Sequence, residues 1–245
     1  MFFGNKNIPI QDIFSPEFID IHSHLLPGID DGSKSLENSI ELISNLNQYG
    51  IRRFLTTPHT MAEVYPNTPE IILRERDNLR EELKKRGLDI ELHAASEYML
   101  DHQFKDHLEN DRVLTFGKRN YILVEMSFFN APNNLKELLF AIQMKGYTPI
   151  LAHPERDNFY GGNLEEYKEL KTLGCKFQLN FLSLTKQYGS SVQKTSYKLL
   201  EAGMYDFVGT DTHHTGHTQL LKTIATKKNA KYLKPLIKNN ETILD

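Results

Sequence analysis

The sequence predicts an α/β fold: a (β/α) barrel of seven parallel strands or, as the alternative, an open doubly wound sheet. Three observations carry that expectation. Short apolar runs alternate along the chain with segments of helical periodicity. Glycines stand where the helical patterns stop. Histidines and carboxylates gather at the C-terminal ends of the apolar runs, the face on which barrel enzymes place their sites. The length of 245 residues suits one such domain and can bury a sizeable core. No repeat, low-complexity segment or Pro/Gly-rich linker divides it. Residues 1–17 read as an irregular N-terminal extension and 18–245 as a single barrel domain.

The elements follow in order. FIDIH (18–22) reads as a short buried strand. Leu36, Ile40, Ile43, Leu46 and Tyr49 then recur at helical spacing, and Gly50 closes the helix. IRRFLTTPH (51–59) is the next strand. In the helix after it Thr68 can cap, Pro69 sits at the first helical position, and Gly87 ends it. LDIELHAASE (88–97) alternates as a strand, and YILVEM (121–126) is the fourth. NNLKELLFAIQMKG is a helix ending at Gly146, and YTPILAH (147–153) a strand. NLEEYKELKTLG is a helix with a capping-box-like pair, Asn163 and Glu166. CKFQLN (175–180), the helix SVQKTSYKLLEAG, YDFVGTD (205–211) and a last helical region complete the chain. Parallel strands joined by helices follow from this alternation.

Composition narrows the function. Hydrophobic residues make up 39% of the chain and charged ones 25%. No apolar run approaches the ~20 residues of a membrane helix, so direct membrane insertion is not expected. The opening MFFGNKNIPIQDIF has no basic segment followed by an apolar one, so no signal peptide is expected. Cys175 is the single cysteine, which excludes an internal disulfide framework and fits the cytoplasm. The net charge is −3 with Lys and Arg dispersed, so nucleic acid is not an expected partner. A helical face or a solvated tail explains the basic stretch KTIATKKNAKYLKPLIKNN at least as well as a docking surface does.

The chemistry begins in FIDIHSHLLPGIDDGS (18–33). His22 and His24 flank one serine, and Asp30 and Asp31 follow closely. Alone, His-x-His is commonplace and Asp-Asp-Gly is a turn. The rest of the chain changes that. His22 and His24 end the first strand, His59 the second, Glu97 the third, Glu125 the fourth, His153 the fifth and Asp211 the seventh. Asp31 lies in the first loop, and His213 follows Asp211 by two residues. A single histidine at a strand end is ordinarily a hydrogen-bonded structural residue. Five histidines and four carboxylates brought to one face would repel or bear heavy desolvation unless they held cations. Two or three ions would satisfy them. Ligands of this kind, without thiolate, suit Mn, Fe or Zn. Clustered ions of that sort most often serve hydrolysis of a phosphate ester. Arg156, three residues past His153, could grip phosphate oxygens through its planar guanidinium, although a surface ion pair would explain it too. His93, His102, His107, His214 and His217 lack the strand-end placement and read as ordinary polar residues.

Other hydrolytic schemes do not fit. Position 181, six residues after Cys175, is Phe rather than the Arg that cysteine-based phosphatase chemistry needs. The sequence has no phosphate-binding G-x-x-x-x-G-K-[ST] loop and no G-x-S-x-G elbow.

DIHSH, DDG, TTPH, ASE, VEMS, AHPER and TDTHH, in that order, resemble the PHP (polymerase and histidinol phosphatase) superfamily. More specifically, the chain resembles the bacterial manganese-dependent tyrosine-protein phosphatases of the CpsB/YwqE type over residues 18–240. The resemblance implies a distorted, TIM-like seven-stranded (β/α) barrel with three divalent metal ions, most often Mn²⁺, at its C-terminal face. It implies that His22, His24, Glu97 and Asp211 hold the first ion. Glu97 would bridge to a second, shared with Glu125 and His153, while Asp31, His59 and His213 hold the third. Arg156, Asp211 and His213 would be the catalytic residues, with Arg156 on the phosphate. The implied reaction is direct attack of metal-bound hydroxide on phosphotyrosine. The implied partner is the tyrosine-rich tail of a membrane tyrosine kinase that controls capsule or exopolysaccharide export. Members of this branch often carry a second arginine after the final Asp-x-His. DTHHTGHTQ offers only His214 and His217 there. The alternatives are a PHP phosphatase acting on a small molecule such as histidinol phosphate, a non-catalytic metal-stabilised binding module, and a nuclease or proofreading module, which the acidic balance disfavours.

Overall fold

A computed structural model describes residues 6–245. The first five residues of the expected extension lie outside the described residues. The chain runs through β1 (Ile19–Asp20), α1 (Leu36–Gln48), β2 (Arg53–Thr56), β3 (His59–Thr60) and α2 (Pro69–Lys85). β4 (Glu91–Ala94), β5 (Glu97–Met99), α3 (Phe104–Glu109), β6 (Tyr121–Glu125) and α4 (Leu135–Met144) follow. β7 (Thr148–Ala152), α5 (Leu164–Thr172), β8 (Lys176–Asn180), α6 (Ser190–Glu201), β9 (Phe207–Gly209), α7 (Thr215–Leu221) and α8 (Lys227–Glu241) complete it.

This is an α/β fold with parallel sheets. One sheet has the order β1-β2-β4 and the other β3-β5-β6-β7-β8-β9. All named pairs are parallel. The two sheets meet twice. β2 leads into β3 through Thr57 and Pro58, and β4 into β5 through Ala95 and Ser96. At the other side the end of β9 lies along the chain that follows β1. Asp211 N donates to His22 O (2.7 Å), His24 N donates to Thr212 O (3.0 Å), and Ser23 and Thr212 form a parallel bridge. Buried Asp20 ties the same seam from its side chain, accepting from Thr210 N at 2.9 Å and from Thr210 Oγ1 at 2.6 Å.

The helices form for the expected local reasons. Ser35 caps α1 by accepting from Asn38 N, and Thr68 caps α2 by accepting from Ile71 N with Pro69 behind it. Asn163 caps α5, but onto Glu165 N rather than through a box with Glu166. The main core lies between helices and strands and takes Phe54, Leu92, Ile122, Val124, Leu151, Phe177, Leu179 and Val208. Alternate strand residues enter a second, smaller cluster, among them Ile19, Leu55, Leu123, Ile150 and Phe207. Both faces of the strands are therefore buried, as parallel sheets require.

Several element boundaries differ from expectation. The expected first strand shrinks to two paired residues, because past Asp20 the chain turns to present His22 and His24. The second and third expected strands are each broken in two. Pro58 has no N–H for the ladder, and its carbonyl instead accepts from Ser96 Oγ (2.8 Å) and Glu97 N (3.1 Å). The paired strand bends with it. α3 was not expected, and the last helical region is two α-helices joined by a short 3-10 turn. Residues 6–17 include a 3-10 turn at Ile10–Asp12, and Ile10, Ile13 and Phe14 are buried in the main core.

Candidate metal centre

The breaks and strand ends deliver the polar residues to one place. His59 opens β3 and Glu97 opens β5, immediately after the two interruptions. Glu125 ends β6, while His153 and Asp211 follow the ends of β7 and β9. The last two have left-handed backbone, with φ 31° at His153 and 49° at Asp211. Non-glycine residues rarely adopt that conformation, and strain of this kind concentrates at functional sites.

Around Glu97 the distances are short. Its Oε2 lies 3.1 Å from His22 Nε2, 3.4 Å from His24 Nε2 and 3.1 Å from His59 Nδ1. Its Oε1 lies 3.1 Å from His153 Nε2. Asp211 Oδ1 lies 3.4 Å from His22 Nε2, 3.3 Å from His24 Nε2 and 3.3 Å from His213 Nδ1. Asp31 Oδ1 is 3.5 Å from both His59 Nε2 and His213 Nε2. Glu125 Oε1 is 2.9 Å from His59 Nδ1. All nine sequence-predicted ligands therefore converge. They form overlapping sets: His24, Asp31, His59 and His213; His22, His24 and Asp211; His22, Glu97 and His153; His59, Glu97 and Glu125. Within each set the candidate donor atoms lie within 4.8 Å of one another.

His153 Nε2 and Glu97 Oε1 form a hydrogen bond, but other contacts at the centre do not. His59 Nδ1, Glu97 Oε2 and Glu125 Oε1 are buried without a hydrogen-bond partner despite their proximity. Buried polar atoms are seldom left so. Lone pairs aimed at a common point are the arrangement that a cation satisfies. The donor set, imidazole and carboxylate without thiolate, fits Mn²⁺, Fe²⁺ or Zn²⁺.

Residues outside the predicted set orient it. Asp30, buried, accepts from His24 Nδ1 (2.7 Å), from Gly32 N at Oδ1 (2.9 Å) and from His59 N (3.1 Å). Gln178 Oε1 accepts from His22 Nδ1 (2.8 Å) and from His153 N (3.3 Å). Both bonds fix the tautomer and leave His22 Nε2 and His24 Nε2 with lone pairs toward the centre. Asp-Asp-Gly is thus a turn and part of the site at once. Gly32 is required by crowding, since a Cβ there would lie 2.3 Å from His24 Cβ. Gly209 meets the same limit, 2.6 Å from His22 Cβ. Gln178 had a signal in KFQLN, where polar residues alternate with Phe177 and Leu179 in a strand buried on both faces.

The electrostatics follow from burial against pairing. Burial alone would raise the pKa values of Glu97 and Asp211, but the surrounding histidines hold both well below the carboxylate range. Burial lowers His59, yet Glu125 and Glu97 reverse this and leave it at about 9. His217, by contrast, is pulled to about 4 by burial and by His214, and its Nδ1 accepts from His213 N (3.3 Å).

Arg156 borders the cluster. Its Nη1 donates to Asp211 Oδ2 at 2.8 Å, where Asn180 Nδ2 also donates at 2.7 Å. The guanidinium carbon sits 4.5 Å from the centre of the Phe128 ring and 4.3 Å from that of Tyr188. Six of the candidate ligands, Asp31, His59, Glu125, His153, Asp211 and His213, line a cavity of about 320 Å³ whose wall includes Met61, Tyr65, Phe128 and Phe129.

Residues 18–245 match the family model for capsular polysaccharide synthesis, CpsB/CapC. The chain belongs to the CpsB/CapC family. It is 30% identical over 230 residues to tyrosine-protein phosphatase YwqE of Bacillus subtilis, a match covering 92% of this chain and 91% of that one. It superposes with a TM-score of 0.82 and 30% identity on a structure from work on YwqE of B. subtilis and CpsB of Streptococcus pneumoniae, described as unique metal-dependent tyrosine phosphatases. That match covers 92% of this chain and 94% of the other. An amidohydrolase from Mycoplasma synoviae, 13% identical, shares the fold with a TM-score of 0.56 over 99% of this chain and 92% of its own.

Proposed function

We propose that this CpsB/CapC-family chain is a metal-dependent protein-tyrosine phosphatase. The observation that carries the reading is Asp211. One carboxylate oxygen faces His22, His24 and His213 while the other holds Arg156, so a cation cluster and a phosphate-binding guanidinium share a residue. The two sheets, with the seam from β9 to the chain after β1, read as one distorted barrel of seven staves, two of them broken. The match to metal-dependent YwqE and CpsB and the donor chemistry support bound divalent metal, and we propose three ions, Mn²⁺ first among them. His22, His24, Glu97 and Asp211 would hold one, Glu97, Glu125 and His153 a second, and Asp31, His59 and His213 a third. Bound there, the ions supply an acidified water and positive charge against the phosphate.

The chain's own residues do the rest. Arg156 offers the phosphate its remaining N–H groups while Asp211 and the two aromatic rings keep its plane fixed. Aromatic side chains at the cavity wall, Tyr65 and Phe128, give an aryl ring apolar cover. The phenolate leaves readily because its own pKa is about 10. The partner we propose is a phosphotyrosine protein of capsule or exopolysaccharide synthesis, specifically the flexible tail of a membrane tyrosine kinase reached from the cytoplasm.

The test is hydrolysis of a tyrosine-phosphorylated peptide and of histidinol phosphate, side by side, by metal-stripped protein with Mn²⁺ restored. Mn²⁺-dependent release of phosphate from the peptide is expected, falling at least about 100-fold in His22→Ala and Asp211→Ala. Turnover of histidinol phosphate alone would overturn the substrate and keep the centre. Inactivity on both, with metal bound, would favour a binding module.

A further inference from the structure

Beside the candidate centre lies a second hollow, of about 600 Å³. It shares Phe128, Phe129 and Arg156 with the first and adds Asn158, Phe159, Tyr188 and Val192. Its only charged lining residue is Arg156, whose guanidinium is covered by Phe128 and Tyr188, holds Asp211 through Nη1 and, on the reading above, gives its remaining N–H groups to the phosphate. The trough is therefore mainly apolar, with the amide of Asn158 and with a Tyr188 hydroxyl already accepting from Asn180 Nδ2 (3.2 Å). On the ridge between the hollows stands Phe129, 88% exposed, next to Phe128 at 37%. Aromatic rings left in water at the mouth of a site mark a surface that something covers.

We propose that this trough is the subsite for the residue adjoining the phosphotyrosine, and that it takes an uncharged apolar or aromatic side chain. The proposal rests on the phosphatase reading and deepens it. The occupant follows from continuity. A phosphotyrosine whose phosphate lies at Arg156 must leave through the cavity shared with Phe128 and Phe129. An extended chain advances only about 3.3 Å per residue, so its neighbours pass over the ridge into the adjoining trough. A side chain there meets Phe159, Val192 and Phe129, and a carboxylate would lose water with no free cation to receive it. Free phosphotyrosine and small phosphate esters leave the trough empty.

The test uses Mn²⁺-loaded protein and peptides carrying non-hydrolysable phosphonodifluoromethyl-phenylalanine, flanked on both sides by Leu, Gly or Asp. Fluorescence anisotropy reads their affinity. The Leu peptide should bind about tenfold more tightly than the Gly peptide, through partial burial of its side chains, and the Asp peptide should bind weakest. Phe159→Ala should remove most of the Leu-over-Gly difference. Asn158→Lys should shift preference toward the Asp peptide. Neither should alter turnover of p-nitrophenyl phosphate, which has no flanking residue. Equal affinity for the Leu and Gly peptides in the unaltered protein would overturn the subsite. The phosphatase reading would still stand if the matching phosphotyrosine peptides were hydrolysed. Failure to bind any of the peptides, together with failure to hydrolyse phosphotyrosine, would overturn both.

Discussion

Asp30 touches no candidate donor atom except through its neighbours, yet the centre depends on it. Its carboxylate fixes His24 and receives the backbone of Gly32 and His59. Asp30→Asn should weaken Mn²⁺ binding about 10–100-fold, the range for loss of a partner that orients a ligand. Gly32→Ala should do comparable damage by displacing His24. Calorimetric titration checks both, and unchanged affinity in Asp30→Asn would remove its positioning role. His59 contributes to the pH dependence of the metal-free protein alongside the other buried groups of the cluster. Its pKa in the fold is about 9 against an ordinary 6.5, so its pairing with Glu125 and Glu97 stabilises the fold fully below about pH 6.5. That contribution is lost as pH rises through 9. Chelated protein should therefore lose up to about 3 kcal/mol relative to chelated His59→Gln between pH 6 and 9. Denaturant unfolding at the two pH values measures it, and parallel curves for the two proteins would refute it.

At the scale of elements, the seam between β9 and the chain after β1 rests on few bonds, and Asp20 makes two of them. Asp20→Ala would leave buried Thr210 N without its acceptor and Thr210 Oγ1 with only the long bond to His22 O (3.5 Å), and should cost about 2 kcal/mol. Asp20→Asn, which keeps one acceptor, should cost less. Equal stability of Asp20→Ala and the unaltered protein in urea would show that the seam bears no load. Much of this element order was legible in the chain. A change from alternating to helical periodicity, with glycine at each stop, is a local property, and so α1, α2, α4, α5 and α6 could be read directly. The interruptions at Pro58 and Ser96 are not local in the same way. Pro58 announces one break, but the break between Ala95 and Ser96 arises only because the neighbouring strand bends. The same division holds in the site. Strand-end histidines and carboxylates are visible as departures from apolar runs. Asp30 resembles any turn aspartate, and Gln178 emerges only when KFQLN is known to be buried on both faces.

Across the whole molecule, the nine candidate ligands come from every strand-end region except that of β8, and β8 contributes Gln178 and Asn180 behind them. Few of these contacts are near in sequence. His22 meets Asp211 across the seam, and Glu97 meets His153 across β6. An unfolded chain would hold these groups far apart, so a divalent ion should bind the folded state almost exclusively. Its binding energy then adds to the stability of the fold. At a free Mn²⁺ concentration 100 times the dissociation constant, one site contributes about 2.7 kcal/mol. For a chain of this size that is a rise of about 5–10 °C in Tm. Chelation should reverse it, and Mg²⁺, which prefers oxygen ligands, should give a smaller rise at equal concentration. Differential scanning fluorimetry with Mn²⁺, Mg²⁺ and chelator makes the comparison. Glu97→Gln should abolish most of the Mn²⁺ effect, because its two oxygens face four of the five cluster histidines. A Tm indifferent to Mn²⁺ at saturating concentration would mean that this arrangement of imidazoles and carboxylates holds itself together without a cation, through the ion pairs of its protonated histidines.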